Sequence, residues 1–342
     1  MTVYNLLLVV FSSVTIALGL SPLTIWFSRR VGLMDIPGRE RHKHHHHPVP
    51  LAGGIVLFLT FLILSVLAGK SFHDTFYIHL LPVMIIVALG ILDDFIGLKP
   101  AVKLAGQCLA AGLLIYNGVS AQLFSHPIIN TVITIFWLVG ITNAFNFIDS
   151  MDGLAAGLAA LTAACLTLVT LLSGQFDLTL MSTIILGSCI GVFFFNAPPA
   201  RYFLGDSGAQ FLGFSLAAVL LEYIPAGFTL WTSWFVPILL VSIPIFDMVL
   251  VVVSRLRRRL PVYRANLDHT YHRLIRLGIS SNRAILMMQL GALLIDCLAF
   301  ILLNLSPVLA NGLIAILAMT AIGLIIFLDR PPLLDDNPYP TI

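Results

Sequence analysis

Long apolar runs separated by short polar breaks constrain this chain more than any other feature. Eleven of them, near residues 4–27, 51–69, 78–92, 101–116, 128–146, 154–172, 179–195, 208–223, 232–253, 284–303 and 311–328, approach the roughly 20 residues that an α-helix needs to cross a hydrocarbon core of about 30 Å. A β-barrel would show shorter segments of alternating polarity instead. The expected fold class is therefore all-α and polytopic, with about eleven transmembrane helices. Because 59% of the residues are hydrophobic and only 10% charged, no stretch is left for a separate soluble domain, and residues 1–342 read as a single integral membrane domain.

The distribution of charge sets the expected orientation. With the N-terminus outside, every Lys and Arg except Lys70 falls on the cytoplasmic side, a strong positive-inside bias that also leaves the C-terminus cytoplasmic. The first run ends in Arg29-Arg30 without a small-residue cleavage site and reads as a retained span. Cys108, Cys165, Cys189 and Cys297 lie inside apolar runs with no paired spacing, as small buried hydrophobes do.

The same orientation collects acidic and amide side chains on cytoplasmic segments near 28–50, 93–103, 143–153, 197–208 and 254–283. Carboxylates at the ends of membrane helices are costly unless water or a cation meets them, so several on one face mark a site. Asp93 and Asp94 end the third run in ILDDFIGLKP, ahead of Lys103; such a pair either binds a cation and handles a proton or is a solvated helix cap. In NAFNFIDSMDGLAAG, Asn143, Asn146, Asp149 and Asp152 recur every third residue and would form one drifting helical stripe suited to a metal-bound diphosphate or a nucleotide. The alternative is a polar seam between helices. In FLGDSGAQ, Asp206 sits before an apolar run, where backbone amides can hold phosphate oxygens while the carboxylate holds a cation, although an Asp N-cap has the same appearance.

The loop RLRRRLPVYRANLDHTYHRLIRLG carries His269 and His272 among many arginines. These groups can neutralise a diphosphate and orient a sugar, while the run Arg255–Arg259 suits anionic lipid headgroups. Asp247 lies inside the ninth run and is expected to pair with a loop Arg or Lys. The tract His44–His47 reads as a solvated loop more than a metal tract, and Asp296 has no assignment.

In order along the chain, GLMDIPG with PVPLAGG, LDDFIGL, NAFNFIDSMDG, FLGDSG, PIFDMV and DHTYHRL resemble the motifs of the polyprenyl-phosphate N-acetylhexosamine-1-phosphate transferases, glycosyltransferase family 4. The GlcNAc-1-phosphate branch is the nearer match. The resemblance implies transfer of a sugar 1-phosphate from a UDP-sugar to undecaprenyl or another polyprenyl phosphate in the inner leaflet of the bacterial cytoplasmic membrane, with release of UMP. It implies Mg²⁺, with Mn²⁺ as a substitute, and no nucleic acid; it leaves a homodimer open. By the same resemblance Asp206 is a metal ligand and Asn146 lies beside the metal. Asp93 faces the lipid phosphate with Asp94 in support, and Asp149 and Asp152 shape the nucleotide site. Lys103, Asn143, Phe203, His269, His272 and Arg273 are substrate-binding positions.

Three positions depart from the pattern. Ser150 replaces the first glycine of an Asp-Gly-x-Asp-Gly motif, Gly97 stands where an acid is sometimes found, and Tyr271 interrupts a His-x-His-His form. Two rivals remain: phospho-MurNAc-pentapeptide transfer, and an ion-coupled transporter, which would place its acids near the bilayer midplane and repeat its fold.

Overall fold

The computed structural model describes residues 3–37, 47–68, 73–227, 233–262 and 267–333. His44, His45 and His46 of the histidine tract lie outside the described residues, and His47 lies within them. Each of the eleven apolar runs carries helix, and among the described residues seven helices are long and apolar enough to cross a membrane. The chain is a multi-pass helical membrane protein. Its contacts gather into two compact units, one formed by residues up to Ala226 other than 40–44, the other by 40–44 and the residues from Gly227 onward.

The first unit contains α1 (Val3–Val31), α2 (Gly53–Leu67), α3 (His73–Ile96), α4 (Pro100–Tyr116), α5 (Pro127–Ile148), α6 (Leu154–Leu172), α7 (Phe176–Asn196) and α8 (Gly205–Glu222). Two short strands, β1 (Met34–Asp35) and β2 (Val49–Pro50), pair antiparallel. Helix α8 is the axis of this unit. Every residue from Ser207 to Leu220 is buried, and α2, α3, α5, α6 and α7 all pack on it, which is what a helix apolar on all sides requires. Helix α7 lies against α1 through Gly187 and Gly191, a small-xxx-small spacing that brings backbones together: a Cβ on Gly191 would come within 2.6 Å of the Ala17 Cβ.

The segment after β2 is laced to the start of α8. Phe203 donates its N–H to the Pro50 carbonyl at 2.9 Å, and Gly53 and Gly54 donate to the carbonyls of Phe203 and Leu204 at 3.1 and 3.0 Å. The PVPLAGG and FLGDSG segments, 150 residues apart in the chain, thus form one piece of structure.

The second unit contains α9 (Val236–Leu240), α10 (Ser242–Arg257), α11 (Thr270–Arg276), α12 (Ser281–Leu303) and α13 (Pro307–Leu328). The ninth run, expected as one continuous helix, is two. Val241 leaves helical geometry between them, and Pro244, which lacks an N–H, cannot bond the Leu240 carbonyl one turn back. Helix α12 packs on α9, α10 and α11, and Leu250, Phe246, Ile325, Leu328 and Leu333 form an apolar cluster tying α10 to the end of α13.

Candidate active site

At the N-terminus of α8, side chains from four helices meet. Asp93 and Asp94 come from the last turns of α3, Lys103 from the first turn of α4, Asn146 from the last turn of α5, and Asp206 from the first turn of α8. Lys103 ion-pairs with Asp93 and reaches Asp206 Oδ2 at 3.3 Å, while Asn146 donates its amide N–H to Asp206 Oδ1. Asp93 also accepts the Leu98 backbone N–H at 2.6 Å, so its carboxylate is fixed from two sides. Close approach of α3 to this end of α8 depends on Gly90, where any Cβ would strike the backbone of Ser207.

Adjacent in sequence, Asp93 and Asp94 have different occupations. Asp94 turns toward α8 and accepts the backbone N–H of Asp206 at 2.7 Å, the N–H of Ser207 at 3.3 Å and the Ser207 hydroxyl at 2.9 Å. It does for α8 what an N-cap side chain does, but from another helix.

The expected stripe through Asp149 and Asp152 stops short. Helix α5 ends at Ile148, Asp149 is its C-cap, and Asp152 lies in the turn before α6. Asp152 accepts the Ala200 N–H at 3.0 Å, and Asn196 joins the Gly153 N–H to the Tyr202 carbonyl, both bonds 3.1 Å, so this turn is sewn to the segment leading into α8. Gly153 has φ +74°, a conformation glycine takes at no steric cost, and Ser150 is not among the positive-φ residues, which explains how one motif glycine is kept and the other replaced. Withdrawal from water, and then the charges of Asp206, Asp94 and Asp152, push the Asp149 carboxyl well above the usual range. The acids therefore act as one electrostatic group.

One turn deeper, three amides repeat the same meeting of helices. Asn143 donates to Gln107 Oε1 at 2.7 Å, and Gln107 donates to Gln210 Oε1 at 3.1 Å. These residues stand four, four and three positions from Lys103, Asp206 and Asn146, on the same helix faces. Asn143 thus belongs to a buried polar tier beneath the charged one. Phe203 is half-buried, and its backbone forms the link to β2 described above.

The second unit has its own polar cluster. Asp247 pairs with His269, Nδ1 to Oδ2 at 2.8 Å, and accepts the Thr270 N–H at 2.6 Å; the expected Arg or Lys partner is replaced by an imidazole and a backbone amide because α11 begins beside it. His272 is buried against the Tyr271 hydroxyl at 2.6 Å, and burial, followed by the charge of His269, pushes its ring down to about 2, so it is neutral. Arg273, expected at the substrate, is enclosed: its guanidinium donates to the carbonyls of Asp268 and Leu328 at 2.9 and 2.8 Å and meets Asp329 at 3.2 Å. The basic run is likewise occupied. Arg255 grips Asp268 through two bonds of 3.0 and 2.7 Å, Arg258 adds a third of 2.7 Å, and Arg257 pairs with Asp329 at 2.8 Å.

Among the described residues no three His, Cys, Asp or Glu side chains form a ready metal cage. The donor set at α8 nonetheless fits a hard cation: the carboxylates of Asp93 and Asp206 and the Asn146 amide offer oxygen ligands, and of the described residues Lys103 supplies the positive charge in direct contact with Asp93 and Asp206.

The family model described as glycosyl transferase family 4 matches residues 76–224. A probable undecaprenyl-phosphate N-acetylglucosaminyl 1-phosphate transferase of Bacillus subtilis (strain 168) is 30% identical over 293 residues, covering 83% of this chain and 81% of that protein. The chain belongs to glycosyl transferase family 4. A second relative of this family member, the decaprenyl-phosphate N-acetylglucosaminephosphotransferase of Mycobacterium leprae (strain TN), is 30% identical over 291 residues, 74% of this chain and 72% of its own. The phospho-N-acetylmuramoyl-pentapeptide-transferase of Enterococcus faecalis (strain ATCC 700802 / V583) is 36% identical over 194 residues, 50% of this chain and 60% of its own. The glycosyl transferase family 4 match contains all of the α8 cluster and ends before His269.

Sequence reading missed Ser207, Asn196, Gln107 and Gln210 as parts of this arrangement. Gln107 and Gln210 had a usable signal, each lying one turn from a residue already singled out.

Proposed function

We propose that this protein transfers GlcNAc 1-phosphate from UDP-GlcNAc to a polyprenyl phosphate, such as undecaprenyl phosphate, releasing UMP and leaving a lipid-linked sugar diphosphate. The observation that carries the reading is the convergence of Asp93, Lys103, Asn146 and Asp206 at the ends of four helices. A lipid phosphate is confined to the headgroup plane and a nucleotide sugar to the aqueous phase, so the two can meet only at such a helix end. The reading takes the bacterial cytoplasmic membrane, eleven spans, an outside N-terminus and a cytoplasmic site, as the positive-inside distribution supports.

In this reading a lipid phosphate oxygen attacks the sugar-linked phosphorus, and the bond to the UMP oxygen breaks. The attacking oxygen needs little deprotonation, since a phosphate monoester has its second pKa near ~6. Asp93, fixed by Leu98 and Lys103, therefore orients the attacking group more than it removes a proton. Lys103 spans the acids and meets phosphate charge, Asp94 keeps the first turn of α8 in place, and Asp149 and Asp152 shape the nucleotide side. Phe203 is assigned to the uracil. Mg²⁺, held by Asp206 with Asn146 beside it, would offset repulsion between the two anionic substrates.

Transfer of phospho-MurNAc-pentapeptide is the second reading, supported by a relative that matches half of this chain. Purified protein given undecaprenyl phosphate, Mg²⁺ and a panel of UDP-sugars is expected to release UMP fastest from UDP-GlcNAc. Selective use of UDP-MurNAc-pentapeptide would overturn the sugar assignment, and no UMP from any of them would overturn the reaction.

A further inference from the structure

The segment leading into α8 carries a cation that the transfer as proposed leaves without a task. Arg201 is exposed, and among the described residues none of its side-chain N–H donors meets a protein acceptor. It is nonetheless held in place. Its guanidinium carbon lies 5.7 Å from the Phe194 ring centroid and 5.5 Å from that of Phe195, both in the last turn of α7. Phe195 stacks on the buried Tyr202 ring at 5.7 Å, and the Tyr202 hydroxyl meets Ser21 of α1 at 3.1 Å. The backbone is fixed as well: Arg201 donates its N–H to the Phe195 carbonyl at 2.7 Å, and Asp152 holds the Ala200 N–H at 3.0 Å. Contact with rings consumes none of the five guanidinium donors, which leaves a planar fork ready for an oxyanion.

The surroundings indicate which oxyanion. Helix α7 is long and apolar enough to cross a membrane, and Phe194 is 65% exposed, so this ring faces lipid chains. Arg201, just beyond the end of α7, then stands where hydrocarbon gives way to headgroups. Helix α1 repeats the arrangement at the same end. It runs parallel to α7, since Gly187 packs against Ser13 and Gly191 against Ala17, and near its end Arg30 lies over the exposed Trp26 ring at 5.1 Å. Aromatic rings beside lipid with a cation above them mark the headgroup plane.

We propose that Arg201 is a binding site for the phosphate of an anionic bilayer phospholipid, gripped through two parallel N–H bonds at the end of α7. A guanidinium matches phosphate geometry, and the negative charge of the leaflet favours the encounter. The inference does not depend on the transfer reading.

Purified full-length protein in detergent, titrated with phosphatidylglycerol or phosphatidylcholine and followed by native mass spectrometry, tests it. Wild type is expected to bind phosphatidylglycerol more tightly than phosphatidylcholine, and Arg201→Gln to weaken phosphatidylglycerol about tenfold or more. Arg201→Lys should keep part of the affinity, because it retains the charge and loses the fork. Lys99→Gln, which removes another exposed charge, should change it less than about twofold. Equal losses in Arg201→Gln and Lys99→Gln would mean general attraction and overturn the site, as would equal binding of the two phospholipids by wild type. A parallel titration with undecaprenyl phosphate completes the test: a loss confined to that lipid would make Arg201 a substrate contact and overturn the assignment. Since neither UDP-sugar nor Mg²⁺ is present, these outcomes are independent of whether the protein releases UMP.

Discussion

The carboxylate of Asp94 accepts the backbone N–H of Asp206 at 2.7 Å, so one aspartate caps the helix whose first turn carries the other. Two acids that look alike in the sequence are thereby set apart, one holding the backbone of the other. Asp94→Ala should lower the thermal midpoint and cut activity, because three donors at the start of α8 lose their acceptor at a cost of about 2 kcal/mol. Asp94→Asn keeps one acceptor oxygen and should recover part of both. Equal loss of activity in the two variants with no change in melting would argue for a chemical role instead.

Asp206→Ala should abolish Mg²⁺-dependent UMP release from UDP-GlcNAc with undecaprenyl phosphate. Loss of the cation's several kcal/mol of charge stabilisation corresponds to a fall of about a thousandfold or more. Activity near wild type would remove Asp206 from the metal site.

Lys103 stands between two carboxylates, and Lys103→Met leaves both without it. Turnover should drop about a hundredfold or more. Lys103→Arg should rescue only part, since a planar fork does not reproduce a point charge shared between Asp93 and Asp206. Steady-state kinetics on both variants decide the matter; full rescue by Arg would mean that charge alone suffices.

Gly90→Ala forces a methyl group against the Ser207 backbone and should destabilise the protein by about 1–3 kcal/mol. The thermal midpoint measures this, and activity should fall with it because α3 and α8 carry opposite sides of the cluster. An unchanged midpoint would show that α3 does not need this close approach.

Asp268 supplies the pH prediction. Burial alone would raise its carboxyl, but hydrogen bonds and charge from Arg255, with His269 and Arg258, hold it below the usual carboxylate range. With a folded value below the unfolded one of about 3.9, its contribution is complete above that value and disappears as pH falls through the folded value. Asp268→Asn should therefore lose about 3 kcal/mol or more near neutrality, where it strands a buried Arg255. Its stability should also decline less than that of wild type between about pH 5 and pH 3. Parallel acid-unfolding curves for the two proteins would refute this role.

Much of the fold was legible along the chain because membrane helices are set by runs of local apolarity, and each of the eleven runs carries helix among the described residues. Asp93, Asp149 and Asp206 could be singled out because charge is so costly beside lipid that its position is informative. The break at Val241 was harder to foresee: Pro244 lies between apolar neighbours, and hydropathy alone does not register a missing N–H.

What the sequence by itself determined is the all-helical membrane architecture and the identity of the polar groups at helix ends, since both follow from the free energy of placing each residue in or out of hydrocarbon. Only the tertiary structure decided which of those groups are chemically available. Asp94 is taken by Ser207 and the Asp206 backbone, Arg273 by Asp329, and Asp247 by His269. A hydrogen bond depends on the approach of segments far apart in the chain, and spacing along one segment carries no record of what another will bring to it.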